Sequence, residues 1–222
     1  MKRATVLLAD DHAIVVEGLR RVLEPEFEVV GVVADGRALV RSAEALRPDI
    51  AVVDVSMPLL NGIEAARQIR KTNSQSRIVF LSMHPDVVYV SEGLLAGGSA
   101  YVLKSSAGLE ILTAIRAVLQ GGTYITPSVD TVQLQTQIRR AQSLETLSLP
   151  PRQREVLQLV IEGHSTKKIA EILNISSRTV EFHRYRIMQT LDMHSIADLV
   201  QFAIKHQIVP PMVKSASSVK TT

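Results

Sequence analysis

The chain has 222 residues, of which 46% are hydrophobic and 21% are charged, a composition typical of a globular protein with one large domain or two small ones. The absence of cysteine excludes disulfide bonds, thiolate metal sites and a cysteine nucleophile. No apolar run reaches the roughly 18 residues of a membrane span and no secretory signal opens the chain, so we expect a cytoplasmic protein without membrane contact. Residues 1–122 carry a net charge of −1 and residues 123–222 carry +4, a bias that a solvated surface explains as well as a nucleic-acid partner does.

The first part of the chain alternates short β-rich runs with helical patterns. The five predicted strands span 5–9, 28–34, 50–54, 77–82 and 100–104. Parallel strands need crossover helices between them. The alternation therefore predicts an α/β doubly wound sheet of five parallel strands over residues 1–122.

The pattern changes after a Gly-Gly pair. Residues 123–146 are rich in Gln, Ser and Thr and are predicted as a flexible linker with one short helix near 129–141. Four compact helical patterns follow a Pro-Pro pair and predict an all-α four-helix domain over residues 147–208. Residues 209–222 have too few apolar side chains to pack and are predicted as a disordered tail.

Charged and hydroxyl side chains stand at the carboxyl ends of four predicted strands, and they are Asp10 and Asp11, Asp54, Ser82 and Lys104. The carboxyl ends of parallel strands meet at one edge of the sheet, where ligands bind in open α/β folds. Adjacent carboxylates repel each other unless a cation lies between them. Three carboxylates suit the hard cation Mg²⁺, so the sequence predicts a magnesium site at this edge.

Asp54 is the predicted nucleophile of this site. A carboxylate can accept a phosphoryl group covalently while a metal ion and a lysine neutralise the phosphoryl oxygens. Lys104 supplies that positive charge on a flexible side chain. The alternative is that the acidic residues only cap the helices that follow the strands, since Asp is common at helix N-termini.

The stretch EGHSTKKIAEILNISS has the layout of a helix-turn-helix, with a short amphipathic helix between two turn signals. Ser165 or Thr166 is expected to cap the short helix, Asn174 to end it, and Ser176 or Ser177 to cap the next helix. Any small helical bundle fits this pattern as well.

The third helical pattern favours DNA binding over a plain bundle. At about 100° per residue, Val180, His183, Ile187 and Leu191 share an inward face. The outward face mixes cations, amides and rings, and it consists of Arg178, Glu181, Phe182, Tyr185, Arg186 and Gln189. Its donors, acceptors and apolar groups are those that base reading in the major groove requires.

Phosphate contacts are predicted from basic and hydroxyl side chains near the same helix, and they position it without reading sequence. These side chains are Lys167, Lys168, Ser177, Thr179, Arg184 and Arg186. His183 is interpreted as a core histidine, with a direct DNA contact as the alternative.

The motifs LLADDH, VVDVSMPLLNG, LSMH and YVLK follow one another at the strand ends. Through them, residues 3–122 resemble a bacterial response-regulator receiver domain, which has a flavodoxin-like fold. The resemblance implies that Asp54 accepts a phosphoryl group from a sensor histidine kinase. It also implies that Asp10, Asp11, Asp54 and the Ser56 backbone carbonyl surround Mg²⁺.

The same resemblance implies a conformational switch formed by Ser82, Tyr101 and Lys104. Ser82 would turn its hydroxyl toward the phosphoryl group while Tyr101 moves from an exposed to a buried position. The alternative is that Tyr101 is a half-buried strand aromatic without a switching role.

The all-α domain resembles the LuxR-type helix-turn-helix through PRQREVLQLVIEG, KKIAEILNIS and TVEFHRYRIMQTL. The two domains together are similar to a NarL/FixJ-type transcriptional regulator, which implies a phosphorylation-switched DNA-binding protein and not an enzyme. The implied partners are double-stranded promoter DNA, RNA polymerase and, in the active homodimer, a second copy of the chain. The last helix would form the dimer contact through Ile196, Leu199, Val200 and Ala203, unless these residues only close the four-helix core.

The chain departs from the family pattern at a few positions. Ser105 follows Lys104 where many receivers have proline, so the loop into the next helix is expected to be looser. Glu181 stands where many relatives have Lys, and Gln153 replaces a usual Glu, so the operator sequence cannot be carried over.

Two rival functions remain. The first is a phosphatase or transferase that forms an aspartyl-phosphate. Such an enzyme usually has a second carboxylate two residues after the nucleophile as a general acid, where this chain has Ser56. A regulator with a constitutive receiver would not need the complete acidic set and Lys104.

The sequence also leaves open whether the receiver masks the third helix or controls dimerisation.

Overall fold

The structure, a computed structural model, describes residues 3–72, 75–143, 149–193 and 195–205. Its sheet is fully parallel, with the strand order β2-β1-β3-β4-β5-β6. The strands are β1 (Thr5–Ala9), β2 (Glu28–Val33), β3 (Ile50–Asp54), β4 (Arg77–Ser82), β5 (Gly98–Leu103) and β6 (Tyr124–Ile125). The doubly wound fold class is confirmed, with six strands in place of the predicted five.

Helices cover both faces of the sheet, as parallel strands with crossover connections require. They are α1 (Ala13–Leu23), α2 (Gly36–Leu46), α3 (Gly62–Thr72), α4 (Val87–Leu95) and α5 (Ala107–Leu119). One apolar core lies under α2, α3 and α4, and a second lies under α1 and α5. The central strand β3 is buried along its whole length, so Asp54 emerges from the interior of the sheet.

The segment after α5 differs from the predicted flexible linker. Residues 124 and 125 form β6, which pairs with β5, and the helix α6 (Thr131–Ser143) packs on α4. Val129 and Leu134 are almost fully buried in the receiver core. Sparse apolar residues among many Gln and Thr residues suggested a linker, yet these few are enough to dock the segment. Residues 144–146 of the predicted linker lie outside the described residues.

The second domain is a bundle of α7 (Pro151–Ile161), α8 (Thr166–Leu173), α9 (Ser177–Leu191) and α10 (Ile196–Lys205). The hydroxyl oxygens of Ser165 and Ser176 accept hydrogen bonds from the third backbone N–H that follows each of them, which caps α8 and α9. Asn174 ends α8 with a φ of 51°, a left-handed conformation that Asn tolerates. The helix-turn-helix layout is therefore present, as predicted.

The predicted tail, residues 209–222, lies outside the described residues. Across the part of the chain that the structure describes, every helix is too short or too polar to cross a bilayer.

Candidate phosphorylation site and nucleic-acid interface

The buried acidic pocket lies at the carboxyl ends of β1, β3 and β5, where the sequence predicts it. The side chains of Asp10 and Asp54 are 2% and 3% exposed. Lys104 Nζ lies 2.7 Å from Asp10 Oδ2 and 2.9 Å from Asp54 Oδ2, so one ammonium bridges two carboxylates. Burial strengthens these ion pairs, because little water is present to screen them.

Burial raises the pKa of Asp54, and the charge of Asp10 raises it further, while Lys104 acts in the opposite direction. For Lys104, burial alone would lower the pKa, but the attraction of Asp54 and the hydrogen bonds to both carboxylates outweigh it and raise the pKa. The lysine therefore stays charged and fixes the orientation of Asp54.

His12 belongs to this pocket, which the sequence analysis missed. Its Nδ1 lies 3.0 Å from Asp10 Oδ1 and 3.1 Å from Asp11 Oδ1. One potential ligand atom each from Asp10, Asp11, His12 and Asp54 lies within 4.8 Å of the others. The adjacency of His12 to the Asp pair in the sequence was the available signal.

The donor set of the pocket fits a divalent cation. Beyond Lys104, Asp10 Oδ2 and Asp54 Oδ2 make no hydrogen bond to the described residues, and both are buried. Two buried carboxylates and the exposed Asp11 present hard oxygen ligands, which Mg²⁺ prefers over softer donors. The backbone nitrogen of Ser56 donates to Asp54 Oδ1 at 3.1 Å, which holds the loop that carries the Ser56 carbonyl next to the pocket.

Gly62 makes the approach of α3 to the pocket possible. A Cβ at this position would lie 2.1 Å from the backbone oxygen of Asp54. Glycine therefore allows the start of α3 to pack directly against the end of β3. The loop of residues 55–61, which we call the phosphorylation loop, is confined between these two elements.

The candidate switch residues Ser82 and Tyr101 lie on the neighbouring strands β4 and β5. The Tyr101 side chain is fully buried, and its hydroxyl donates to the backbone oxygen of His84 at 3.0 Å. The hydroxyl oxygen of Ser82 accepts a hydrogen bond from the backbone nitrogen of His84 at 3.0 Å. Burial raises the pKa of Tyr101. The expected exposed starting position of Tyr101 is therefore not seen in this structure.

The loop after Lys104 is closed by local hydrogen bonds. The Ser106 backbone nitrogen donates to the Leu103 oxygen at 3.0 Å, and the Lys104 nitrogen donates to the Ser82 oxygen at 2.8 Å. These bonds hold the loop despite the missing proline, and α5 begins at Ala107.

The outward face of α9 is exposed. Phe182 and Tyr185 are each 58% exposed, and the other predicted members of this face are exposed as well; they are Arg178, Glu181, Arg186 and Gln189. The Phe182 ring lies edge-on to the His183 ring, with the ring centroids 5.8 Å apart. Val180 and Ile187 are buried on the opposite face, as the helical spacing predicts.

Glu181 is engaged within the domain. Its Oε1 accepts hydrogen bonds from the Thr166 hydroxyl at 2.6 Å and from Arg184 Nη1 at 2.9 Å. Arg184 also donates to the Thr166 hydroxyl oxygen at 3.0 Å. Glu181 and Arg184 therefore form one network that joins α9 to the start of α8.

The predicted phosphate contacts surround the N-termini of α8 and α9. Lys167, Lys168 and Ser177 are exposed, and Thr179 is half-buried. Lys168 pairs with Glu171 at 3.4 Å on the surface, where such ion pairs contribute little to stability.

The remaining residues of this domain are placed as follows. His183 lies on the inner side of α9, where burial and then Arg152 lower its pKa, which supports the interpretation as a core histidine. Leu199 is buried in the four-helix core and Val200 is half-buried. The side chains of Ile196 and Ala203 lie outside the described residues, so the predicted dimer contact stays a prediction.

A contact between the two domains joins α7 to the phosphorylation loop. The side chain of Gln158 is buried, and its Oε1 accepts a hydrogen bond from the Asn61 backbone nitrogen at 2.8 Å. Its Nε2 donates to the Met57 backbone oxygen at 3.1 Å. The Leu59 backbone nitrogen donates to Glu162 Oε1 at 3.1 Å, and Leu59 packs against the core of the second domain.

Two ion pairs border this contact. Arg154 Nε lies 2.7 Å from Glu64 Oε1, and Arg37 Nη2 lies 2.7 Å from Glu155 Oε2. Both glutamates are buried, so the pairs are shielded from solvent. The sequence did not indicate these residues.

Family models match both halves of the chain. Residues 6–116 match the response regulator receiver domain, and residues 147–203 match the luxR family of bacterial regulatory proteins.

Among known proteins, the chain is similar to the transcriptional regulatory protein MctR of Rhizobium johnstonii, with 35% identity over 206 residues that cover 92% of this chain and 94% of MctR. It is similar in structure to RcsB of Salmonella enterica serovar Typhimurium bound to a promoter in the presence of the phosphomimetic BeF3⁻, with a TM-score of 0.62, 29% identity and coverage of 92% and 100%. A further similar structure contains two RcsB dimers bound to two parallel DNAs, with a TM-score of 0.54, 27% identity and coverage of 90% and 98%.

Proposed function

Because the chain belongs to the two-component response regulators that join a receiver domain to a LuxR-family helix-turn-helix, we propose that phosphorylation of Asp54 by a sensor histidine kinase switches its DNA binding. The observation that carries the proposal is the single lysine that bridges Asp10 and Asp54 in a buried pocket. In such an arrangement the lysine charge can stabilise the negatively charged oxygens of a phosphoryl group as the carboxylate accepts it. Family membership also means that the protein is a transcription regulator and not an enzyme.

The transfer step uses Asp54 as the nucleophile. Its carboxylate oxygen forms a bond to phosphorus as the P–N bond of the donor phosphohistidine breaks, and the leaving imidazole takes up a proton. The hydrogen bond from the Ser56 backbone nitrogen and the Lys104 ion pair orient the carboxylate before the reaction. After transfer, Lys104 can pair with a phosphoryl oxygen in place of the Asp54 carboxylate.

Mg²⁺ would be held by the carboxylates of Asp10, Asp11 and Asp54 and by the Ser56 carbonyl. When bound, it neutralises charge on the phosphoryl oxygens. The support for this site is the pair of buried carboxylate oxygens whose only close partner among the described residues is Lys104.

DNA reading is assigned to the exposed face of α9. Arg178 and the two exposed rings of Phe182 and Tyr185 offer base contacts in the major groove, and cations and hydroxyls beside them offer phosphate contacts. We assign double-stranded promoter DNA as the ligand, with a homodimer as the active form and RNA polymerase as the next partner in transcription. A dimer presents two such helices to two half-sites.

The contact between the domains supports regulation by release of α7 over regulation by masking of α9. The receiver binds α7, and the reading face of α9 stays exposed in the same structure. The receiver leaves this face of α9 uncovered, which supports control through α7 over masking of α9. A change in the phosphorylation loop would instead release α7 and free the DNA-binding domain to pair with a second copy.

The test is phosphorylation of the purified full-length chain with acetyl phosphate and Mg²⁺, followed by intact mass and size-exclusion measurements. We expect one added phosphoryl group, a larger species in solution and tighter promoter binding. Asp54→Asn should show none of these changes, whereas Asp35→Asn, which alters a helix-capping aspartate away from the pocket, should behave as the wild type in phosphorylation. Unchanged phosphorylation of Asp54→Asn would refute the assigned site. Sustained hydrolysis of a generic phosphate ester would favour the phosphatase alternative.

A further inference from the structure

We propose that residues 124–138, which we call the strap, are the intramolecular occupant of the face formed by α4 and β5, and that they hold Tyr101 in its buried position before any phosphoryl group is present. The strap comprises β6 and the first half of α6. The proposal depends on the proposed function only for the meaning of Tyr101 as a switch residue.

The first observation is the backbone pairing of the strap with the strand that carries Tyr101. β6 pairs with β5 so that Ile125 stands opposite Tyr101. The Thr126 backbone nitrogen donates to the Tyr101 backbone oxygen at 2.9 Å. The strap is therefore fixed to the switch residue itself and not only to its neighbours.

The second observation is a buried hydroxyl that joins the strap to β5 and α5. The side chain of Thr126 is buried, and its oxygen accepts a hydrogen bond from the Leu103 backbone nitrogen at 3.0 Å. The same hydroxyl donates to Glu110 Oε2 at 2.8 Å. The Thr126 hydroxyl thus satisfies the Leu103 N–H of β5 just beyond the end of β6, where strand pairing stops.

The third observation is apolar. Val129 and Leu134 are 4% and 3% exposed and belong to the same buried cluster as Tyr89 and Tyr101. On the outer side of α6, Val132 is 74% exposed, so the helix turns one specific face to the receiver. Residues with this burial exclude water from the α4–β5 face and dock the strap by the hydrophobic effect.

These contacts have two consequences. An outward turn of the Tyr101 side chain requires the strap to move, because Ile125 stands beside Tyr101 in the sheet and Val129 and Leu134 belong to the apolar cluster that contains it. A second copy of the chain cannot pack on the α4–β5 face while the strap occupies it. Since α6 leads toward the DNA-binding domain, a shift of α4 or β5 would be passed on through the strap.

Nitration of tyrosine by tetranitromethane, with peptide mass spectrometry of the full-length chain, tests the proposal without any phosphodonor. Tyr185 is more than half exposed and serves as the internal reactive standard. We expect nitration of Tyr101 to be at least tenfold slower than that of Tyr185 in the wild type. Leu134→Asp should raise the Tyr101 rate at least tenfold, and Val132→Asp, on the exposed side of the same helix, should leave it unchanged.

Thr126→Val provides a second variant if Leu134→Asp does not fold, since it keeps the shape of the side chain and removes the hydroxyl. It should raise the Tyr101 rate severalfold, with the native helix content retained in circular dichroism. Rapid nitration of Tyr101 in the wild type, or continued protection in both folded strap variants, would overturn the proposal. Because the readout needs no phosphorylation, neither result depends on whether Asp54 is the phosphoacceptor.

Discussion

Gln158 on α7 accepts a hydrogen bond from the backbone nitrogen of Asn61, and the Asn61 side chain in turn accepts one from the Glu64 nitrogen at the start of α3. A residue of the second domain is thus bonded to the loop that directly follows Asp54, the proposed phosphoacceptor. Since buried polar groups require partners, any movement of this loop must break or replace these bonds. The hydrogen-bonding requirement of this buried amide therefore couples the two domains, together with the Glu162 hydrogen bond and the two bordering ion pairs.

We predict that Gln158→Ala weakens the contact between the two domains without unfolding either. The substitution removes the partners of the Asn61 nitrogen and the Met57 oxygen, and an unsatisfied buried group costs about 1–3 kcal/mol. Hydrogen exchange of the phosphorylation loop should become faster in the unphosphorylated protein. Gln133→Ala, which changes an exposed glutamine on α6, should leave exchange in this loop unchanged. Equal protection in wild type and Gln158→Ala would show that the contact is not coupled to the loop.

The acidic pocket could be predicted from the sequence because its members stand at the carboxyl ends of parallel strands of one sheet. The strand pattern alone brings Asp10, Asp54 and Lys104 to one edge. The contact of Gln158 with the phosphorylation loop has no such signature, because one amide and two backbone groups far apart in the chain leave no periodic pattern. The strap was missed for a related reason, since the buried Thr126 looks like any linker threonine until β5 lies beside it.

We predict that Lys104→Met destabilises the receiver and prevents phosphorylation. Removal of one member of a buried charge cluster typically costs about 3–5 kcal/mol, because the remaining carboxylates lose their counter-charge. The thermal midpoint should fall, and Mg²⁺ should raise it more in the variant than in the wild type, since the cation then supplies the missing charge. Thermal unfolding with and without Mg²⁺ is the measurement, and Lys71→Met at an exposed site is the control. A midpoint equal to that of the wild type without Mg²⁺ would contradict the assigned role of Lys104.

We predict that Glu181→Ala and Arg178→Ala affect DNA binding in opposite directions. Loss of Glu181 frees Arg184 from its ion pair and removes a negative charge from the reading face, so affinity for any sequence should rise and its salt dependence should steepen. Loss of Arg178 removes a base donor and should cost about 1–3 kcal/mol on the preferred site. Fluorescence anisotropy with specific and scrambled duplexes at several salt concentrations separates the two effects. Weaker binding of Glu181→Ala to both duplexes would mean that Glu181 orients Arg184 for a phosphate contact instead of restraining it.

We predict that the DNA-binding domain loses stability as the pH falls below about 6.5, the ordinary pKa of histidine, because the pKa of His183 is lowered in the folded state. Above that pH His183 is neutral in both the folded and the unfolded chain and contributes nothing to the pH dependence of the free energy of unfolding. Below it, the unfolded chain binds a proton more readily than the folded one, so unfolding is favoured until the pH also passes the lowered folded pKa.

The cause of this shift is local. His183 is partly buried on the inner face of α9, its Nδ1 has no hydrogen-bond partner among the described residues, and Arg152 adds repulsion to the protonated form. His183→Gln keeps a polar side chain and removes the titration. The urea midpoint of the variant should therefore change less than that of the wild type between about pH 7.5 and about pH 5, a range that includes the ordinary histidine pKa of about 6.5. His84→Gln, in the receiver, serves as the control for other histidine effects. If His183→Gln showed the same loss of urea midpoint as the wild type, the acid sensitivity would belong to other groups and the prediction would be wrong.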